Sequence, residues 1–209
     1  MEIKSNYDIQ AEKCRLEFTK MNHEKIAEKF KLHFDDDYLY IYFLNQKYRL
    51  NKGNGKIEKT DDEANYLPAK FNEIMTILDV FTYSKNELKL SGKWINVTHL
   101  KEVVRTGSIV SHLDLFASSS KKFSGRINAL IKVCEKLNGR KINQGDVGYI
   151  IDIFEFLPIM FIFYEEDSEF PAECKFLWDE NILDYMHYET TFYIVNHIFE
   201  RLEELIGSY

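Results

Sequence analysis

Proline is scarce in this 209-residue chain, with three in all, and glycine is held to nine. No Pro/Gly/Ser linker, repeat or low-complexity tract divides the sequence, so a single domain is expected. Cysteine is equally sparse. Cys14, Cys134 and Cys174 are odd in number and far apart, which excludes a disulfide framework, and no pair has metal-ligand spacing. Each reads as a small buried hydrophobe. The longest apolar stretch, Val147 to Tyr164, is interrupted by Asp152, Glu155 and Pro158 and is too short to cross a bilayer as a helix. The opening residues MEIKSNYDIQAEK lack the apolar core of a signal peptide, so a cytoplasmic chain is expected. Ser118–Ser120 and Ser124 have no G-x-S-x-G context, and Gly53-x-Gly55 precedes no phosphate-binding helix, so neither a nucleophilic serine nor a phosphate loop is indicated.

What is present is apolar, aromatic and unevenly charged. Hydrophobic residues make up 45% of the chain, with 13 Tyr and 16 Phe, which points to a globular core containing sheet. The net charge of −7 conceals an asymmetry: residues 145–209 carry 15 acidic and 2 basic groups, whereas residues 1–144 carry 19 acidic and 25 basic. An acidic third disfavours nucleic acid at its surface and suits a basic protein partner, a cation or a second copy of the chain. The alternative is that the two regions neutralise each other within the fold.

Periodicity supplies the elements. Helices are expected over Tyr7–Lys20, over Glu24–Lys31 behind an Asn22 cap, over Leu67–Tyr83 with Pro68 in the first turn, over Lys122–Leu137 with Ser120 as cap, and over Glu189–Ile206. Asn138-Gly139 offers a left-handed stop to the fourth. Tyr38–Leu44 and Lys47–Leu50 read as a hairpin turning at Asn45-Gln46, with a short strand near Ile57. Gly148–Leu157 is a strand, and Ile159–Tyr164, apolar on both faces, is a central one. Thr106–Ser120 reads as a long loop. The expected fold is α+β: a mostly antiparallel sheet of about five strands packed against three or more helices.

Tyr164-Glu165-Glu166-Asp167-Ser168-Glu169-Phe170-Pro171 is the most unusual stretch, with four carboxylates in five residues directly after the apolar strand. Crowded carboxylates repel, so they titrate upward, recruit a cation or serve acid–base chemistry. The competing reading is a solvated turn. Downstream lie Asp179, a cap for a short helix after Trp178, and His187, whose imidazole with several carboxylates would form a permissible divalent-metal set. No ligand pair has a diagnostic spacing, so no metal ligand is assigned. Gly145-Asp146 makes a tight turn, with Asp146 a ligand candidate. Trp94 and Trp178 read as core or pocket-lining aromatics, and Tyr164 flanks the acidic segment.

The ordered run of Leu137-Asn138-Gly139, Gly145-Asp146, Leu157-Pro158-Ile159, the acidic D-x-E-F-P-A element at Asp167–Ala172 and Leu177-Trp178-Asp179 resembles the DUF3786 family of bacteria and archaea. Gly92-Lys93-Trp94 resembles the family's G-K-W element. The chain departs from the pattern with Tyr164 where tryptophan is common and Trp178 where phenylalanine is usual. Some members of the resembled family carry a cysteine-rich iron–sulfur segment or occur near corrinoid and one-carbon metabolism, and that segment is absent from this chain. The resemblance implies a fold and a site at Asp167, Glu169 and Asp179, without an activity or cofactor. The leading expectation is a non-catalytic ligand-binding or accessory module using residues 164–171, with Trp94, Asp146, Tyr164, Trp178 and His187 as ligand-binding candidates. The rivals are a carboxylate-based hydrolase or isomerase pairing Asp167 and Glu169 with Asp179 or His187, a divalent-metal site at the same segment, and a structural interaction domain that self-associates.

Overall fold

The computed structural model describes residues 6–100 and 112–207 of the chain. Its elements, in order, are α1 (Asn6–Phe18), α2 (His23–Phe30), β1 (Tyr38–Phe43), β2 (Gln46–Asn51), β3 (Ile57–Thr60), β4 (Leu67–Pro68), α3 (Phe71–Tyr83), β5 (Trp94–Asn96), α4 (His112–Lys121), α5 (Ile127–Lys136), β6 (Arg140–Lys141), β7 (Val147–Phe154), β8 (Leu157–Tyr164), β9 (Glu173–Asp179) and α6 (Tyr188–Ile206). The fold is α+β, with all strand pairs antiparallel. A four-stranded sheet runs β1-β2-β3-β4 and a five-stranded sheet runs β5-β9-β8-β7-β6. The chain forms two compact units: residues 1–88 with 183–197, and residues 89–182 with 198–209. No described helix is long and apolar enough to cross a membrane.

In the first unit, Leu39, Ile41 and Phe43 alternate inward along β1 while Tyr38, Tyr40 and Tyr42 face outward. The hairpin turns at Leu44-Asn45 rather than Asn45-Gln46. Both residues take positive φ, 48° and 56°, which is what a two-residue turn matched to strand twist requires. Asn22 caps α2 as expected, its side chain accepting from the Lys25 amide at 3.0 Å. Helix α3 begins at Phe71, not Leu67. Leu67-Pro68 instead pairs with Glu58 and Lys59 as an edge strand, where the missing proline N–H costs no ladder bond.

An unforeseen polar chain lies in this unit. Glu73 is fully buried on α3; its Oε1 meets Lys59 Nζ at 2.5 Å and lies 3.5 Å from His197 Nδ1. His197 Nε2 lies 3.3 Å from the Tyr48 hydroxyl, which donates to Gln46.

In the second unit β8 is central, as its two-sided apolar pattern predicts. Phe116, Phe123, Phe163 and Phe176 gather with Phe199 of α6, ring centroids 5.4–6.4 Å apart. Each buried ring removes apolar area worth roughly 1.5–3 kcal/mol. The loop expected over 106–120 is corrected in part: residues 112–121 are α4, with Phe116 and Ser120 buried, while 106–111 lie outside the described residues. The helix expected over 122–137 is interrupted, because Gly125 takes a φ of 72° and α5 restarts at Ile127. Ser120 does not cap that helix. It sits at the end of α4, donates to Phe116 O and accepts from the Cys174 amide. The helix stop is left-handed as expected, with Asn138 at a φ of 57°.

Glu73→Ala should cost about 3–5 kcal/mol, because it strands the Lys59 ammonium in a partly buried position beside His197. Chemical denaturation of the variant measures it, and a loss under about 1 kcal/mol would show that the pair is not load-carrying.

Candidate functional site

The β8–β9 connection holds the acidic segment, and its geometry follows from the need of charged oxygens for donors. Tyr164 pairs with Glu173 at the strand ends. Beyond it, the Glu165 amide donates to Asp146 Oδ2 at 2.8 Å, and the Asp146 amide donates to Phe163 O at 2.9 Å. Asp146 is thereby a backbone clasp. Its neighbour Gly145 must be glycine: φ is 64°, and a Cβ would stand 2.6 Å from both Phe163 O and Ile162 Cγ2.

Glu165 turns back towards the start of α5. Oε1 accepts the Ser124 hydroxyl, and Oε2 accepts the Gly125 amide at 2.8 Å. Burial acts to raise this carboxyl, but the Ser124, Gly125 and Glu166 hydrogen bonds outweigh it and hold the group below the ordinary glutamate range. Asp167 closes a tight turn: Oδ1 accepts the Glu169 and Phe170 amides, each at 2.8 Å, while the Asp167 amide donates to Phe170 O. Those two amides lower its carboxyl. Glu166 and Glu169 are exposed, and so is Phe170, at 66% the most exposed large apolar side chain among the described residues.

The structure therefore gathers Asp146, Tyr164, Asp167 and Glu169 at one end of the five-stranded sheet and leaves the other candidates elsewhere. Asp179 sits six residues beyond Glu173 along β9, about 20 Å away at strand spacing. It is buried and saturated: Ser91 N and Oγ, Gly92 N and Asn181 N all donate to it at 2.8–3.0 Å. It anchors the loop before β5 and does not face Asp167. Trp94 pairs with Asp179, and Trp178 is 1% exposed in the core. His187 belongs to the first unit, where Nδ1 lies 2.6 Å from Asp79 Oδ1 and the ring packs at a 38° tilt against Tyr83, centroids 3.6 Å apart. Asp79 also accepts the His187 amide and the Thr190 hydroxyl at the start of α6. Tyr164 lies beneath Lys175 Nζ, 4.7 Å from its ring centre. Among the described residues no group of three or more His, Cys, Asp or Glu side chains is placed to hold a metal ion.

Beside the clasp is a cleft of about 460 Å³, walled by Gly125, Arg126, Asn128 and Glu165 over Ile127 and Ile206. The sequence pattern does not disclose it, because Ser124-Gly125 falls inside the helix expected over 122–137. A glycine there was the available signal for a break.

Residues 22–201 match the model of a family described as domain of unknown function (DUF3786), and the chain belongs to that family. No curated protein and no solved structure matches it.

Two measurements test the clasps. Asp179→Asn, which converts an acceptor of four hydrogen bonds into a mixed donor and acceptor, should lose about 1–3 kcal/mol on denaturation. For Glu165 the sign follows from its depressed pKa. The stability it contributes is present above the unfolded glutamate value of about 4.3 and disappears as pH falls through the lower folded value. The gap in melting temperature between the native protein and Glu165→Gln should hence be open at pH 7 and narrow below pH ~4. A gap constant with pH would contradict the clasp.

Proposed function

We propose that this DUF3786 protein is a non-catalytic binding module whose working surface is the acidic turn between β8 and β9, and that its partner is a protein with a basic rim around an apolar recess. The observation that carries the reading is the Asp167 turn. With Oδ1 engaged by the Glu169 and Phe170 amides, the segment is fixed, and Phe170 is displayed on the same turn as two exposed carboxylates, Glu166 and Glu169. An exposed phenylalanine on a pre-ordered turn loses little conformational freedom on docking, which is the property of an interface anchor. The flanking charges add steering and select cationic partners. A catalytic use of the same carboxylates finds less support, because Asp167 is engaged by backbone amides and Asp179 lies at the far end of β9.

Placing a photo-crosslinking phenylalanine analogue at position 170, with Tyr42 as a control position, tests the reading in the source cell. A product specific to position 170 is expected, and the captured protein, once purified, should bind the native chain in a salt-sensitive manner. Phe170→Ala should weaken that complex at least about tenfold. No product specific to position 170, or equal affinity for Phe170→Ala, would overturn the proposal.

A further inference from the structure

The cleft at the start of α5 has a chemistry independent of the Phe170 turn. Its two charged walls are of opposite sign. Glu165 presents a carboxylate fixed in place by Ser124 and Gly125, and Arg126 presents an exposed guanidinium one residue beyond. Asn128 also lines the cleft, and Ile127 and Ile206 supply apolar surface. Arg126 occupies the capping position of α5 without a side-chain cap, and the amides of Ile127, Asn128 and Ala129 have no acceptor among the described residues. A volume of about 460 Å³ lies within the range of small-molecule sites.

An ammonium ion would find a partner in Glu165 and an unfavourable neighbour in Arg126, whereas a simple carboxylate would meet the reverse. A molecule carrying both charges satisfies both walls at once, and an aliphatic group between them covers the isoleucines. We infer that this cleft binds a small zwitterion of the amino-acid or dipeptide class, with its ammonium on Glu165, its carboxylate on Arg126 and the α5 amides, and an aliphatic side chain on Ile127 and Ile206. Glu165 Oε1 already accepts from Ser124 and from the Glu166 amide, whereas Oε2 accepts from Gly125 alone, which leaves it a lone pair for an incoming N–H. The ionised state of that carboxyl, kept by the same bonds, suits a cationic group.

Calorimetric titration of the full chain with L-leucine and with glycyl-leucine tests this, using N-acetyl-leucine and leucine methyl ester as matched ligands that each lack one charge. Binding of at least one zwitterion is expected, with each blocked ligand about tenfold or more weaker. Glu165→Gln should erase the preference over N-acetyl-leucine, and Arg126→Gln the preference over the methyl ester. Arg126 is exposed and its side chain makes no hydrogen bond or ion pair among the described residues, so its variant remains informative if Glu165→Gln folds poorly. Absence of heat with both zwitterions overturns the inference. So does equal binding of the blocked ligands, or an Arg126→Gln variant that still rejects the methyl ester.

Discussion

The structure depends on one recurrent interaction: a carboxylate accepting hydrogen bonds from backbone amides that no ladder or helix can satisfy. Asp35 holds the Asp37 and Tyr38 amides, Asp62 those of Ala64 and Asn65, Glu73 that of Lys70, and Asp79 that of His187. Asp146, Glu165, Asp167 and Asp179 do the same in the second unit. Such charge-assisted bonds are roughly twice as strong as neutral ones, and they convert loops into fixed geometry. They also explain how an acidic chain with three prolines orders its turns. Where another protein restricts φ with a ring, this one holds the amide from outside.

That constraint separates structural acids from the rest. A carboxylate already surrounded by amides is held ionised and oriented, which makes it a poor shuttle for protons and a good frame. Of the catalytic candidates in the sequence, Asp167 is of this kind and Asp179 is oriented by the Ser91, Gly92 and Asn181 amides, whereas Glu169, like Glu166, faces solvent. Counting carboxylates along the segment cannot reveal the division, because it is decided by which amides fall within reach of each oxygen. Glu165 stands between the two groups. It is a frame for the start of α5 and at the same time one wall of the cleft.

Legibility followed the range of the determining contacts. Elements set by their own periodicity, such as β8 with its two-sided apolar run, were readable within the chain, as was the Asn22 cap, whose partner is three residues away. The family likeness likewise rested on short contiguous motifs. Local pattern misleads where a partner elsewhere in the chain decides the outcome. Leu67-Pro68 follows the pattern of a helix start, but β3 offers it a ladder. Ser120 resembles a cap, but its hydroxyl meets the Cys174 amide 54 residues on. The buried Lys59–Glu73–His197–Tyr48 chain draws on three separate regions and has no local signature.

The charge asymmetry resolves in the same way. Lys93 pairs with Glu180, Lys122 with Glu203 and Arg140 with Asp152, so basic groups of residues 89–144 meet acidic groups of the last third inside the second unit. Exposed pairs of this kind contribute about 0–1 kcal/mol each, so their consequence lies in the surface field rather than in stability. Among the described residues, the outward carboxylates beside Phe170 and the Arg126 side chain at the cleft stand outside these pairs. Specific recognition requires charge that is available, and these positions offer it. A uniformly acidic surface would attract cations without selecting among them. An acidic turn that ends in an exposed aromatic, in the same unit as a cleft of mixed sign, would discriminate by shape and charge together under the proposed reading.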